Sequence, residues 1–153
     1  MSRSGYTDDC EDTWASIRWR GAVASALRGR RGQEMLRELA DALDAMPVKE
    51  LAAESLVTTD GMCCTLGALG QARGTDMAAI DPEDRETVSK TFGIAEAMAA
   101  EIMWLNDEAV NEWDYSAYPA RKADEPIAAR RWRYMRNWVD KQLKSVAGAK
   151  GGA

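Results

Sequence analysis

The sequence predicts a nearly all-α fold built as a single compact domain of five to six helices. Three observations lead there. Its 153 residues, 46% hydrophobic and 29% charged, suffice to bury a sizeable core without disulfide or metal staples. Apolar residues recur at three- and four-residue spacing along most of the chain, and helix stops and starts separate the runs. Residues 1–11 are read as an N-terminal arm, 12–146 as the helical domain and 147–153 as a flexible Gly-rich tail.

The first helix is expected from Asp12 or Thr13 through Trp14, Ile17, Gly21, Ala24 and Leu27, with Gly29 and Gly32 as its stop. Gln33 to Met46 is the cleanest amphipathic segment. Met35, Leu36, Leu39, Ala42, Leu43 and Met46 share one face, Glu34, Glu38, Asp41 and Asp44 face away, and Pro47 ends it. A short segment, Val48 to Val57, then reaches the turn Thr58-Thr59-Asp60-Gly61 and the run Met62 to Gly70, apolar on all sides and hence buried. A helix capped by Asp60 is favoured there. A small β-hairpin across Asp60-Gly61, within residues 48–75, competes, because Asp-Gly between apolar runs is a strong hairpin signal.

Asp81-Pro82-Glu83-Asp84 reads as a helix start, with a cap, a proline at the first position and acids in the first turn. That helix runs toward Phe92, and Gly93 breaks it. Ile94 to Asn106 is rich in Ala and Met nearly all round and is expected to be the central core helix. Residues 107–123 form an irregular connection carrying Trp113, Tyr115, Tyr118 and Pro119. The last helix is expected from Asp124, with Pro126 in its first turn, to about Val146.

Composition restricts the chemistry. The chain has no histidine, which removes Ser-His and Cys-His pairs, imidazole bases and every zinc site that needs His. Cys10 stands alone, and Cys63 and Cys64 are adjacent, with neither bridging geometry nor metal-ligand spacing, so all three are expected as thiols. No window approaches the roughly 20 apolar residues of a membrane span, and no signal-peptide stretch opens the chain, so a cytoplasmic protein without membrane contact is expected. No motif calls for a cofactor. The net charge of −5 is unevenly placed: residues 1–37 carry 7 basic and 5 acidic side chains, 38–117 carry 4 and 17, and 118–153 carry 9 and 3. An acidic middle between basic ends implies either internal pairing or a polarised surface offered to a partner.

Several constellations are candidates for function. The run Arg130-Arg131-Trp132-Arg133-Tyr134-Met135-Arg136-Asn137-Trp138 interleaves bases and aromatics as nucleic-acid binders do. At roughly 100° per residue, Ile127, Trp132, Tyr134, Met135, Trp138, Val139, Leu143 and Val146 fall on one half, and Arg130, Arg133, Arg136, Lys141 and Lys144 on the other. That favours a solvated basic face over phosphate contact. Arg131 and Glu101 each break the apolar half of their own helix, and the simplest way to bury both is as an ion pair with each other. Glu38-Leu39-Ala40-Asp41, with Asp44 and the cluster Asn106-Asp107-Glu108, has spacing used for Mg²⁺ by all-α nucleotide pyrophosphohydrolases, but the second pair that such a site needs is missing. Arg28-Gly29-Arg30-Arg31-Gly32 is a basic loop suited equally to a helix stop and to contact with phosphate or an acidic protein face.

The segments Asp60 to Gly70, Phe92 to Ala95 and Glu101 to Glu108 resemble small uncharacterised proteins of bacterial, phage and prophage genomes that carry a Cys-x-x-Gly-Ala-Leu stretch and a later Asn-Asp. Cys64, Gly67, Ala68 and Leu69 match the first part, Asn106 and Asp107 the second. The resemblance spans about a third of the chain and implies a phage or prophage origin but no activity. The expected function is a non-catalytic interaction protein that binds a host protein or nucleoprotein complex such as a defence system. Arg28, Arg30, Arg31, Trp113, Tyr115, Tyr118, Arg133 and Arg136 would make the contact. A nucleic-acid binder using loop 28–31 and the last helix is the first alternative, and the Mg²⁺-dependent pyrophosphohydrolase the second.

Overall fold

The computed structural model describes residues 3–4, 13–110 and 122–151, and among these it is all-α, with six helices and no strand. Helix α1 spans Thr13–Arg28, α2 Arg30–Ala45, α3 Thr65–Arg73, α4 Arg85–Phe92, α5 Glu96–Glu108 and α6 Ile127–Gly151. Trp113, Tyr115 and Tyr118 lie outside the described residues.

The central place belongs to α5, as its Ala/Met composition predicts. It packs on α1, α3, α4 and α6 and buries Met98, Ala99, Ala100, Ile102, Met103 and Leu105. On its far side α2 closes the core against α1, α3 and α6, burying Met35, Leu36, Leu39, Ala42 and Leu43 while Glu34, Glu38, Asp41 and Asp44 stay outside. Apolar residues at this spacing form a stripe wide enough to contact two or three neighbours at once.

The joints differ from the sequence reading in ways that shape the surface. Only Gly29 separates α1 from α2. Gly32 lies inside α2, buried, where a Cβ would fall on the Ala26 carbonyl; its lack of a side chain permits close approach of the two helices. Gln33 then turns inward and donates to the Leu27 carbonyl at 2.7 Å, satisfying one of the terminal acceptors of α1.

Between α2 and α3 both competing readings are partly realised. Gly61, at φ +84, closes a turn in which Thr58 N donates to Met62 O at 2.7 Å, and Val57 and Cys63 form one isolated antiparallel bridge. The pairing stops there because α3 begins at Thr65. Its cap is Cys64, not Asp60: the Cys64 sulfur accepts from Gly67 N at 3.4 Å. The cap of α4 is likewise shifted. Asp84 accepts from Thr87 N at 3.2 Å, while Asp81 makes only a local turn to Glu83 N.

At the other end, α6 starts at Ile127, three residues beyond Asp124, whose φ of 59 keeps it outside the helix. The helix continues to Gly151, through residues expected to form a tail. Of the expected N-terminal arm, Arg3 and Ser4 are buried against the body, 5% and 0% exposed.

Candidate functional site

Most of the basic residues singled out by sequence are engaged within the molecule. Arg133 clasps Glu125 through two 2.6 Å bonds, and Arg136 clasps Asp44 at 2.8 and 3.0 Å. Arg73 holds Glu38 in the same two-pronged way, at 2.7 Å each. Hydrogen bonds from these arginines outweigh the opposing effect of burial and hold the Glu38, Asp44 and Glu125 carboxyls below the usual range. Arg31 donates to the Gly93 carbonyl at 2.7 Å, tying the α1–α2 joint to the α4–α5 joint. Arg30 meets Glu34 at 3.0 Å but remains exposed, and Arg28 is exposed at the rim of a cleft.

Two expectations about α5 and α6 are corrected. Glu101 and Arg131 are buried, 6% and 7% exposed, but do not pair. Glu101 Oε1 faces Arg20 Nη1 of α1 at 3.4 Å, whereas Arg131 Nη1 donates to the Leu51 carbonyl at 2.7 Å. The two lie on different sides of the core, one toward α1 and one toward the loop after α2. Arg130, expected on the solvated face, is 2% exposed. The loop after α2 bonds to the first turn of α6, Leu51 N donating to Ala128 O at 3.0 Å, and helical position alone does not set the exposure of Arg130.

The outward side of α1 is what remains open. Trp14, Ile17, Gly21, Ala24 and Arg28 recur at the spacing of one helical stripe, but the core takes Val23 and Leu27 instead. Trp14 is 71% exposed and Ile17 55%, and a Cβ on Gly21 would meet nothing within 4 Å. The helix carries Arg18, Arg20 and Arg28 and no acidic residue. Its stripe runs into a cleft of about 370 Å³ lined by Arg20, Val23, Leu27, Arg28, Glu101 and Trp138. Of the residues through which the sequence reading ran this helix, Trp14, Ile17, Gly21, Ala24 and Leu27, only Leu27 lies in the core.

A second constellation lies in the interior and joins the two halves of the resemblance. Asn106, 1% exposed, accepts from Thr65 N at 3.0 Å and Thr65 Oγ1 at 2.7 Å. Its Nδ2 donates to the Ala52 carbonyl at 2.9 Å and to Asp107 at 2.8 Å. Asp107 also receives Glu54 N at 3.0 Å and both prongs of Arg3, at 2.6 and 2.9 Å. Burial alone would lower the Arg3 pKa, but the Cys64 and Asp107 side chains override it and hold the guanidinium above its ordinary value. Arg131 is pulled the other way, by burial and by the charge of Arg3. Asn106 beside Asp107 at the end of an Ala- and Met-rich helix was the readable signal; Arg3 gave none, standing in a polar segment 104 residues away.

Among the described residues no three acidic or cysteine side chains converge as metal ligands, and no helix is long and apolar enough to cross a membrane. No family description, curated protein or solved structure matches the chain.

Proposed function

We propose that this chain is a non-catalytic interaction protein that docks through the outward side of α1 on an acidic surface of another protein. A host protein is the fitting partner if the chain is of phage or prophage origin, as the resemblance implies. One observation carries the reading: a tryptophan and an isoleucine, 71% and 55% exposed, stand on a helix with three arginines and no acid. Exposed aromatics rimmed by cations are the composition of binding hot spots, and the charges speed encounter with an acidic partner. The nucleic-acid alternative loses Arg133 and Arg136, whose guanidinium forks are occupied by Glu125 and Asp44. The pyrophosphohydrolase alternative loses Glu38, both of whose oxygens are taken by Arg73.

The test is a pull-down from host lysate, with and without nuclease, using wild type, Ile17→Glu and Arg136→Ala. The reading expects a nuclease-resistant protein partner that Ile17→Glu loses by at least about tenfold and Arg136→Ala keeps. Partners that nuclease removes would favour nucleic acid, and a partner indifferent to Ile17→Glu would remove α1 from the interface.

A further inference from the structure

The outward stripe of α1 has a period as well as a composition. Trp14, Ile17, Gly21, Ala24 and Arg28 follow one another at steps of three, four, three and four residues, the repeat of a seam that one neighbouring helix can cover along its whole length. Trp14 and Ile17 are 71% and 55% exposed, Gly21 and Arg28 are exposed and Ala24 is half-buried, while Val23 and Leu27 face the core. The middle of the seam is low, because Gly21 has no side chain, with open space where a Cβ would stand, and Ala24 adds only a methyl group. Both flanks are cationic. Arg18 stands on one side and Arg20 on the other, both exposed, at the positions through which paired helices select a partner by charge. The Arg20 side chain is 59% exposed and approaches Glu101 only to 3.4 Å, so it can also face an incoming carboxylate.

We infer that the occupant of this seam is an amphipathic α-helix of the partner, apolar along one stripe and carrying glutamate or aspartate on both flanks of that stripe. The inference rests on the reading of α1 as the docking side and names the shape of what docks there. A helix repeats its apolar contacts at the same three- and four-residue steps, which an acidic loop does not. It can also lie close over Gly21 and Ala24, where small residues let helix axes approach to about 8 Å. Its flanking acids then meet Arg18 and Arg20. The cleft of about 370 Å³ beside Arg20, walled by Val23, Leu27 and Trp138, has room for one large apolar side chain from the edge of its stripe.

The probe is a labelled synthetic helix of about three heptads, with leucine and alanine along its stripe and glutamate on both flanks, titrated with the folded protein and read by fluorescence anisotropy. One control peptide carries lysine on the flanks; another keeps the glutamates but has two central prolines, which break the helix. The glutamate helix should bind at least about tenfold more tightly than either control. Gly21→Gln, which leaves the charge unchanged and suits helix α1, should weaken it by about tenfold by holding the two helices apart, and Ile17→Glu by at least as much. Equal binding of the proline-broken acidic peptide, or indifference to Gly21→Gln, would overturn the helical occupant while leaving α1 as a docking side for acidic proteins. Failure of the glutamate helix to bind would overturn it too, and the response of the lysate partner to Ile17→Glu then decides the docking side separately.

Discussion

Replacing Asn106 by alanine tests whether the interior constellation organises the fold. The side chain makes four hydrogen bonds between 2.7 and 3.0 Å at 1% exposure. Its loss strands Thr65 N–H, the Thr65 hydroxyl and the Ala52 carbonyl in the interior. Each buried group left without a partner costs about 1–3 kcal/mol, so with some rescue by water the expected loss is about 3–6 kcal/mol. Against a typical total of about 5–15 kcal/mol that is a large fraction, and for a chain of this length it lowers Tm by roughly 10–20 °C. The assay is urea unfolding followed by tryptophan fluorescence and circular dichroism. Arg136→Ala is the control, since its partner Asp44 is half exposed and such pairs contribute about 0.2–1 kcal/mol. A loss below about 1.5 kcal/mol, or one no larger than that of the control, would show that the network is incidental. Asn106→Asp sharpens the test: it keeps the oxygen that Thr65 needs but sets a second carboxylate beside Asp107. It should therefore be destabilised at neutral pH and recover in part on acidification.

Two further outcomes follow from geometry and charge. Gly67→Ala should prevent stable folding, because a Cβ would fall on the Leu56 carbonyl, whereas Gly21→Ala, on the open side of α1, should be neutral or raise stability by up to about 1 kcal/mol; thermal melts of the two variants decide it. The carboxyls of Glu38, Asp44 and Glu125 are held low by their arginines, so the folded chain binds protons more weakly there than the unfolded one. Their stabilisation is complete above the ordinary carboxylate pKa of about 4 and is lost as pH falls through the folded values; a Tm unchanged between pH 5 and pH 3 would contradict this.

What the sequence revealed was the pattern carried by each helix alone. The amphipathic α2, the apolar α5 and the break at Gly93 are properties of local spacing, and the structure keeps them. What it concealed depends on the neighbours. The stripe Trp14-Ile17-Gly21 has the period of a core face, but nothing in its own residues says that Val23 and Leu27 will win the contact with α5 and α2. Arg130 reads as solvated on the wheel and is 2% exposed, a burial that its own helix does not encode. Arg3 is invisible for the same reason: its bond to Asp107 closes across most of the chain.

The uneven charge of the sequence left two meanings open, and the ion pairs separate them by helix. On α2, Glu38 is bound by Arg73 of α3 and Asp44 by Arg136 of α6. Two acids of α2 thus join it to α3 and α6, and the guanidinium of Arg136 on the basic last helix is taken up with one of them. Helix α1 is different. Its arginines have no acid on their own helix, and its contact with Glu101 is a single approach of 3.4 Å from a side chain 59% exposed. In a chain whose net charge is −5, one helix thus keeps a positive, partly apolar outer side. A second copy docked α1 to α1 would set these arginines against each other, whereas an acidic partner would meet both the charge and the exposed tryptophan. That asymmetry makes Ile17→Glu, which adds the wrong charge at the centre of the stripe, more decisive than removal of any arginine.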